Sequence, residues 1–235
     1  MKLWPPSASR DRDAAAAAYA GAVLPSSGTP WREADWCTVD FELTGLDPRR
    51  DEIIAFGAVP IEAGRIRAGG ALSQLVRPAR DIGEAAIRIH GIRDLDLADA
   101  PPLEAAVIPL LEAIAGRIVV FHTAAVDRPF LKRALADHGV RFRGPTVDTE
   151  VLGRLWLYER DRRLTRRLAL GGLARSLGLP IERPHDALAD ALTTAQAFIA
   201  LAAHLDALRP ESVGSLAHAD RRVDSLWLFE DHSRQ

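Results

Sequence analysis

The stretch CTVDFELTGLDP, residues 37–48, has the alternation of a buried β-strand, yet two of its positions are acidic. Successive side chains on a strand point to opposite faces. Asp40 and Glu42 therefore share one face, and the apolar side chains share the other: Val39, Phe41 and Leu43. Like charges a few ångströms apart raise the cost of ionising each other unless a cation lies between them. The stretch predicts a core strand that directs two carboxylates at a cation.

The segments around this strand predict an α/β fold with a mixed sheet. Apolar runs predict strands at 36–43, 52–61, 65–76 and 117–121, and TVDT at 146–149 follows as a further short strand. Short turns join the first three strands, which favours antiparallel pairing. Helices are predicted at 101–115, 128–138, 149–158, 167–177 and 186–208.

Composition limits the classes of protein. The chain has 235 residues, 48% hydrophobic residues and a net charge of −2, which is ordinary for a globular protein and excludes a protein that coats duplex DNA by bulk charge. The single cysteine, Cys37, excludes an internal disulfide and a multi-cysteine metal site, and it is expected in the core. No stretch reaches the ~18 apolar residues of a membrane span. The cytoplasm is the expected location.

Composition also predicts a domain organisation. Residues 1–34 contain an Ala-rich helical stretch followed by PSSGTP at 25–30, which indicates an N-terminal arm and linker. Residues 35–208 hold the predicted strands and helices and form the expected domain. Residues 209–235 are expected to be a C-terminal tail.

A third acid follows the strand at 117–121. Asp127 lies three residues before Phe130 and four before Leu131, and residues at those spacings share one face of a helix. One interpretation is a carboxylate directed inward. The other is a helix N-cap, a position that Asp favours.

A fourth acid lies on the last long helix. Asp190 borders an apolar stripe on this helix, so it is drawn toward the protein body, where a carboxylate needs a partner. The stripe consists of Ala187, Ala191, Thr194, Phe198 and Leu201. His185 precedes the helix and is either a surface residue or a proton acceptor beside Asp190.

Four carboxylates directed at one cavity require cations. Oxygen ligands with room for water and phosphate suit Mg²⁺ or Mn²⁺. A site with two metal ions about 4 Å apart activates a water and stabilises the leaving oxygen of a phosphodiester. A nearby histidine can take the proton of that water.

These motifs, Asp40-x-Glu42, Asp127 and His185-x4-Asp190, have the order and settings of the three exonuclease motifs of the DEDDh family. Over about residues 35–205 the chain resembles the DnaQ-like DEDDh 3′ to 5′ exonucleases. Their best-known member is the proofreading epsilon subunit of bacterial DNA polymerase III. IHGI at 89–92 and VDT at 147–149 match further family segments.

The resemblance implies an RNase H-like fold with a five-stranded mixed sheet flanked by helices, and stepwise release of nucleoside monophosphates from 3′ ends. It implies that Asp40 bridges two metal ions and that Glu42 and Asp190 complete the first site. Asp127 would hold the second ion, partly through water. His185 would be the general base for the attacking water.

The resemblance also implies a pocket for the terminal nucleotide. Thr44, Gly45 and Leu46 match the loop that in relatives holds the 3′-terminal nucleotide through backbone contacts and an apolar wedge. His90 either lines the same pocket or is a turn residue beside Gly91.

Two positions depart from the family pattern. Many relatives have Asn at the position of Thr123 and an aromatic residue at that of Val126. Neither residue is a metal ligand, so the departures concern the substrate and not the catalytic class. DFELTGLD is also close to the first motif of oligoribonuclease, which leaves RNA substrates open.

Residues 154–167 hold six arginines with Trp156 and Tyr158 among them. Such a segment either binds phosphates while its aromatics stack bases, as single-strand channels do, or forms a solvated helix face in which Glu159 and Asp161 pair locally.

The stretch SLWLF, Ser225 to Phe229, resembles the short peptide by which bacterial replication proteins dock on the sliding clamp, with Ser225 where Gln is usual. The alternative is a tail that folds back over the domain.

The primary hypothesis is therefore a metal-dependent 3′ to 5′ exonuclease of DNA that acts on single-stranded or frayed ends. A second hypothesis makes RNA the substrate. A third is a non-catalytic module that binds 3′ ends or a polymerase, but such a module has no need for four mutually repelling carboxylates.

Overall fold

The structure, a computed structural model, describes the backbone of residues 6–180 and 185–232 and the side chains of residues 11–180 and 185–226. Its strands are β1 (Trp36–Leu43), β2 (Ile53–Glu62), β3 (Arg65–Ile66), β4 (Leu72–Leu75), β5 (Ile118–Phe121) and β6 (Thr146–Asp148). Its helices are α1 (Pro6–Gly21), α2 (Glu84–His90), α3 (Leu103–Ile114), α4 (Ala124–Ala136), α5 (Thr149–Asp161), α6 (Leu170–Leu177), α7 (Ala187–Leu208), α8 (Val213–Ala217) and α9 (Ala219–His232).

The described strands form one mixed sheet in the order β3-β2-β1-β5-β6. β2 is antiparallel to β1, β3 and β4, and β5 is parallel to β1 and β6. The predicted α/β fold with a mixed sheet flanked by helices is confirmed, but the described sheet has six strands instead of five. A 3₁₀ turn at Ala68–Gly70 interrupts the predicted strand 65–76, so β3 and β4 pair with separate parts of β2.

The two faces of β1 pack as the alternation predicts. Its apolar face joins the core shared with α3 and α4 and contributes Cys37, Val39, Phe41 and Leu43. On the other face, the buried Thr38 hydroxyl donates a hydrogen bond of 2.8 Å to the carbonyl oxygen of Ala191 in α7. That bond fastens α7 to the face of β1 that carries the two acids.

Helix α7 is central to the second core layer. Its expected apolar stripe is buried, and the residues are Ala187, Ala191, Thr194, Phe198 and Leu201. In the described part of the chain, only α7 has the length and apolar composition of a membrane span, and half of that window is buried inside the protein. Its burial against the sheet marks it as a core helix.

The described helices within the expected arm and tail, α1, α8 and α9, pack on other helices. α1 packs on α3, and the Arg143 guanidinium donates hydrogen bonds to carbonyl oxygens at the end of α1, including that of Tyr19 at 3.1 Å. α8 and α9 continue the core through Val213, Leu216, Ala219 and Val223. These three helices pack because their apolar residues contact helices that are distant in sequence. The boundaries of the domain stay a prediction.

A buried ion pair holds the C-terminal helices. The fully buried Glu211 side chain accepts a hydrogen bond of 2.7 Å from Arg222 in α9 and lies 3.4 Å from Arg209. Its backbone carbonyl accepts a hydrogen bond from the amide of Trp31. One residue thus connects the segment before β1 to the helices after α7.

Candidate active site

Strand β1 positions the first two acids at the centre of the sheet. Asp40 pairs with Gly57 and Glu42 pairs with Ala55 of β2, and the register shifts between Glu42 and Leu43. Because the apolar face of β1 is fixed in the core, both carboxylates are held on the side of α7. The irregularity ends regular pairing and lets the loop after β1 turn over the acids.

Helix α4 brings in Asp127. The helix starts earlier than predicted, and its N-cap is Thr123, so Asp127 lies one turn inside the helix and is buried. The N-cap interpretation of Asp127 is therefore wrong. Thr123 adopts a left-handed backbone with φ +61, which is unusual for a β-branched residue.

Asp148 holds this unusual turn in place. Its carboxylate accepts hydrogen bonds from the amides of Thr123 at 3.0 Å and Ala124 at 2.8 Å, and it also accepts one from the amide of Glu150. The end of β6 thereby caps the starts of both α4 and α5. This carboxylate positions the helix turn that carries Asp127.

Helix α7 brings in Asp190 through a close approach to the sheet. A Cβ added at Gly57 would lie 2.5 Å from the Leu188 Cα and closer still to the Ala187 carbonyl oxygen. Only glycine leaves room for the helix start at this point. Since Gly57 is the partner of Asp40 in the sheet, this contact sets the separation of Asp40 and Asp190.

The residues before α7 are fixed by the helix itself. The Asp186 carboxylate caps the helix by accepting hydrogen bonds of 3.1 Å from the amides of Leu188 and Ala189. His185 has a left-handed backbone with φ +62, and its amide donates a hydrogen bond of 2.9 Å to the Asp190 Oδ2 atom. His185 is exposed.

The clustered acids oppose one another's ionisation. Burial and then the neighbouring carboxylates raise the pKa of Glu42 to about 8 and the pKa of Asp40 well above its ordinary value. Burial raises the pKa of Asp127 to about 7, and it raises the pKa of Asp190 as well. Only cations between these groups would let all four ionise at neutral pH.

The acids line a cleft of about 440 Å³. All nine residues selected from the sequence line it: Asp40, Glu42, Thr44, Gly45, Leu46, His90, Asp127, His185 and Asp190. Their individual roles stay predictions. The donor set fits a hard divalent cation, because the ligand atoms of Glu42, His185 and Asp190 lie within 4.8 Å of one another and carboxylate oxygens predominate.

Part of the cleft lining is apolar. Leu46 is 75% exposed in the loop after β1, and Ile89 of α2 is 59% exposed. The Nδ1 atom of His90, at the end of α2, accepts a hydrogen bond of 3.0 Å from the amide of Ile92. Burial lowers the pKa of His90, which favours a neutral ring. This part can contact a base or sugar, while the acids contact a phosphate.

Sequence reasoning missed several residues of the site. It predicted no helix between 76 and 101, so it missed α2, although Gly91, which ends α2, was a usable signal. Ile89 was noted as part of the family segment IHGI, but not as an apolar residue of the cleft. Sequence reasoning also missed His122, which lines the cleft and lies 2.9 Å through Nδ1 from the Thr149 hydroxyl. Asp148 was noted as part of a family segment, but not as the cap of α4.

Comparison with known proteins gives a family for this architecture. A family model described as Exonuclease (RNase_T) matches residues 38–198. The chain is 34% identical over 201 residues to a DNA polymerase III subunit epsilon-like protein of Rhodobacter capsulatus, covering 84% of this chain and 28% of that protein. It is 30% identical to a DNA polymerase III subunit epsilon of Aquifex aeolicus, covering 71% and 80%.

A solved structure of Exonuclease X in complex with 5′ overhanging duplex DNA has the same fold, with a TM-score of 0.59 at 24% identity. The match covers 78% of this chain and 98% of that chain. It confirms the predicted RNase H-like fold. The chain spans only 14% and 28% of the length of the first two curated relatives it matches.

Proposed function

The chain belongs to the exonuclease family, and we propose that it removes nucleoside monophosphates one at a time from DNA 3′ ends. The observation that carries the proposal is the convergence of Asp40, Glu42, Asp127 and Asp190 on one cleft, with pKa values raised by burial. We also propose two Mg²⁺ or Mn²⁺ ions as the cofactor. Cytoplasmic location remains part of the proposal.

In this mechanism the protein residues hold and orient the reactants. Divalent ions, when bound by the four carboxylates, supply charge that activates a water and stabilises the leaving oxygen. The His185 ring accepts a proton from the attacking water. The water oxygen adds to the terminal phosphorus, the bond to the 3′ oxygen of the preceding nucleotide breaks, that oxygen takes up a proton from solvent, and a nucleoside 5′-monophosphate leaves.

The apolar part of the cleft supports action at chain ends. Leu46 and Ile89 are exposed aliphatic side chains beside the acids, where they can contact the terminal base or sugar. Asp51 braces the loop from Thr44 to Leu46, because its carboxylate accepts hydrogen bonds from the Thr44 hydroxyl at 3.5 Å and from the Asp47 amide at 2.8 Å. A frayed or single-stranded end would enter such a cleft more easily than a paired end, which must unpair first.

One assay tests direction, substrate and cofactor together. It uses 5′-labelled single-stranded DNA, duplex DNA with a 3′ mismatch, and RNA of the same sequence, each with Mg²⁺, Mn²⁺ or EDTA. We expect a ladder that shortens from the 3′ end on DNA and no cleavage in EDTA. Faster cleavage of RNA than of DNA would replace DNA by RNA as the substrate, and an inert protein would favour the non-catalytic module.

Variants test the roles of the site residues. Asp40→Asn should abolish cleavage because it removes a carboxylate from the cluster, and His185→Ala should lower the rate by roughly 10² to 10⁴. Asp99→Asn is the matched control, because Asp99 is an exposed acid that does not line the cleft. Unimpaired cleavage by the Asp40 variant would refute the mechanism.

We further propose an association with a replicative polymerase, supported by the names of the matching relatives. Docking on the sliding clamp through Ser225 to Phe229 is a weaker proposal. These residues lie in α9, Leu226 packs against the core, and the side chains from Trp227 onward lie outside the described residues. Equal capture of purified clamp by the full chain and by a chain truncated after Asp224 would refute it.

A further inference from the structure

The acidic cleft has to hold a polyanion. Two divalent ions balance the charge of its four carboxylates, but they leave the phosphates farther along a bound strand without a cation. Asp148 and Asp186 add negative charge near the cluster. Affinity for nucleic acid comes largely from lysine and arginine contacts to phosphates. A strand longer than the cleft therefore needs basic residues near the rim.

A basic loop lies between α5 and α6. The stretch RRLTRR at 162–167 contains four arginines and no acid, and no other six-residue stretch of the sequence contains four basic residues. We call Arg162–Arg167 the arginine loop. All four of its arginine side chains are exposed, and they are Arg162, Arg163, Arg166 and Arg167.

One carboxylate fixes this loop to the wall of the cleft. Glu150 accepts a hydrogen bond of 2.9 Å from the hydroxyl of Thr123, which lines the cleft, and another of 3.0 Å from the amide of Leu168. Leu168 directly follows Arg167. The backbone of the arginine loop is thus held one side chain away from the cleft wall.

Two contacts with α5 fix the rest of the loop. The Arg154 Nε atom donates a hydrogen bond of 2.9 Å to the carbonyl oxygen of Thr165. The Leu168 side chain packs so closely on Gly153 that a Cβ there would lie 2.8 Å from the Leu168 Cδ2 atom. The backbone of the loop is therefore already held in place. Binding of a ligand by its arginines then costs less conformational entropy than binding by a mobile loop.

Arg160, just before the loop, and Arg162, its first residue, are already engaged with the nearby aromatic rings. Arg160 pairs with Asp161 and lies 4.3 Å from the ring centre of the buried Trp156. Arg162 lies 5.1 Å from the ring centre of Tyr158. The expectation that these aromatics stack bases is not supported, because the protein's own guanidinium groups cover them. The loop suits phosphates and not bases.

We propose that the arginine loop binds the phosphodiester backbone of the strand whose 3′ end occupies the cleft. The proposal rests on the proposed function and adds the path of the substrate. It accounts for an acidic catalytic centre in a protein of net negative charge that still has to bind long strands.

The test compares Arg163→Gln/Arg167→Gln with the control Arg65→Gln/Arg221→Gln. Each double variant removes two exposed positive charges. Arg65 lies opposite Glu62 in the sheet, at the Trp36 end of β1 and away from Asp40. Binding of labelled oligothymidylates of 3 to about 20 nucleotides is measured with Ca²⁺ replacing Mg²⁺ over a range of salt. Hydrolysis of the p-nitrophenyl ester of thymidine monophosphate by the Mg²⁺-loaded enzyme measures the activity of the cleft alone, because this substrate has no further phosphates for the arginine loop to bind.

We expect the loop variant to bind the longest oligonucleotide about tenfold more weakly, with the slope of log affinity against log salt reduced by roughly 1.4, about 0.7 for each lost contact. The shortest oligonucleotide and the ester should behave as with wild type, and the control variant should change neither. The proposal would be overturned if the loop variant kept the wild-type affinity and salt slope. It would also be overturned if the loop variant lost ester hydrolysis by as large a factor as it lost oligonucleotide binding. Failure of the wild-type enzyme to cleave any oligonucleotide would instead overturn the proposed function.

Discussion

The close packing of the start of α7 on Gly57 leads to a quantitative prediction. In Gly57→Ala the new Cβ would lie 2.5 Å from the Leu188 Cα, whereas carbon atoms pack at roughly 3.5 Å. The atoms it meets are backbone atoms, which cannot rotate away as a side chain can. The start of α7 must therefore move by about 1 Å relative to β2.

That shift acts directly on the catalytic cluster. Gly57 pairs with Asp40, and Asp190 lies in the first turn of α7, so the displacement separates the two carboxylates. A displacement of 1 Å in a catalytic group can cost about 10²-fold in rate. Overpacking of a core typically costs about 1–3 kcal/mol of stability, or roughly 2–12 °C in melting temperature for a domain of this size.

The assay combines three measurements on Gly57→Ala: the rate of single-stranded DNA cleavage, the Mg²⁺ concentration at half-maximal rate, and the melting temperature. We expect a rate about 10²-fold lower, a higher Mg²⁺ requirement and a protein that is still folded at 25 °C. Gly69→Ala is the control, because a Cβ there meets nothing within 4 Å. A folded Gly57→Ala protein with wild-type rate and Mg²⁺ requirement would refute the reasoning.

Three further predictions follow from the site and the core. In the folded protein the pKa values of Glu42 and Asp127 are about 8 and about 7, above their values in the unfolded chain. In EDTA the folded protein therefore binds more protons than the unfolded chain between about pH 4 and 8. Its melting temperature should fall as pH rises through that window, and Mg²⁺ should restore it most at pH 8; a flat profile in EDTA contradicts this. Asp148→Ala should lower cleavage at least tenfold by releasing the turn at Thr123, with a smaller loss in Asp148→Asn, and equal rates in both would contradict that role. Glu211→Ala should lower the free energy of unfolding in urea by about 3 kcal/mol because Arg222 loses its buried partner, and a loss below about 1 kcal/mol would contradict it.

Periodicity made much of the fold predictable. Side chains alternate on β1 whatever lies around it, so the sequence alone placed Val39, Phe41 and Leu43 in the core and Asp40 and Glu42 together on the other face. The apolar stripe of α7 was predictable in the same way, and it placed Asp190 toward the protein body. The spacing of these acids was enough to indicate a divalent cation.

Local signals were less reliable where backbone geometry is unusual. The start of α4 was predicted four residues late, because its N-cap is a left-handed Thr123 that Asp148 stabilises from another strand. The predicted strand 65–76 divides at a short 3₁₀ turn. Helix α2 was missed because it is a short helix with no fully buried residue, so its apolar pattern is weak.

The sequence by itself determined which residues are acidic, which faces are apolar and the α/β class, since these depend on the residue types and on the period of each element. Only the tertiary structure decided that α7 rests on Gly57, that Glu150 holds the arginine loop beside Thr123, and that helices α1, α8 and α9 pack on other helices. Those contacts join residues far apart in the chain. Their geometry depends on how whole elements pack, which no local pattern in the sequence records.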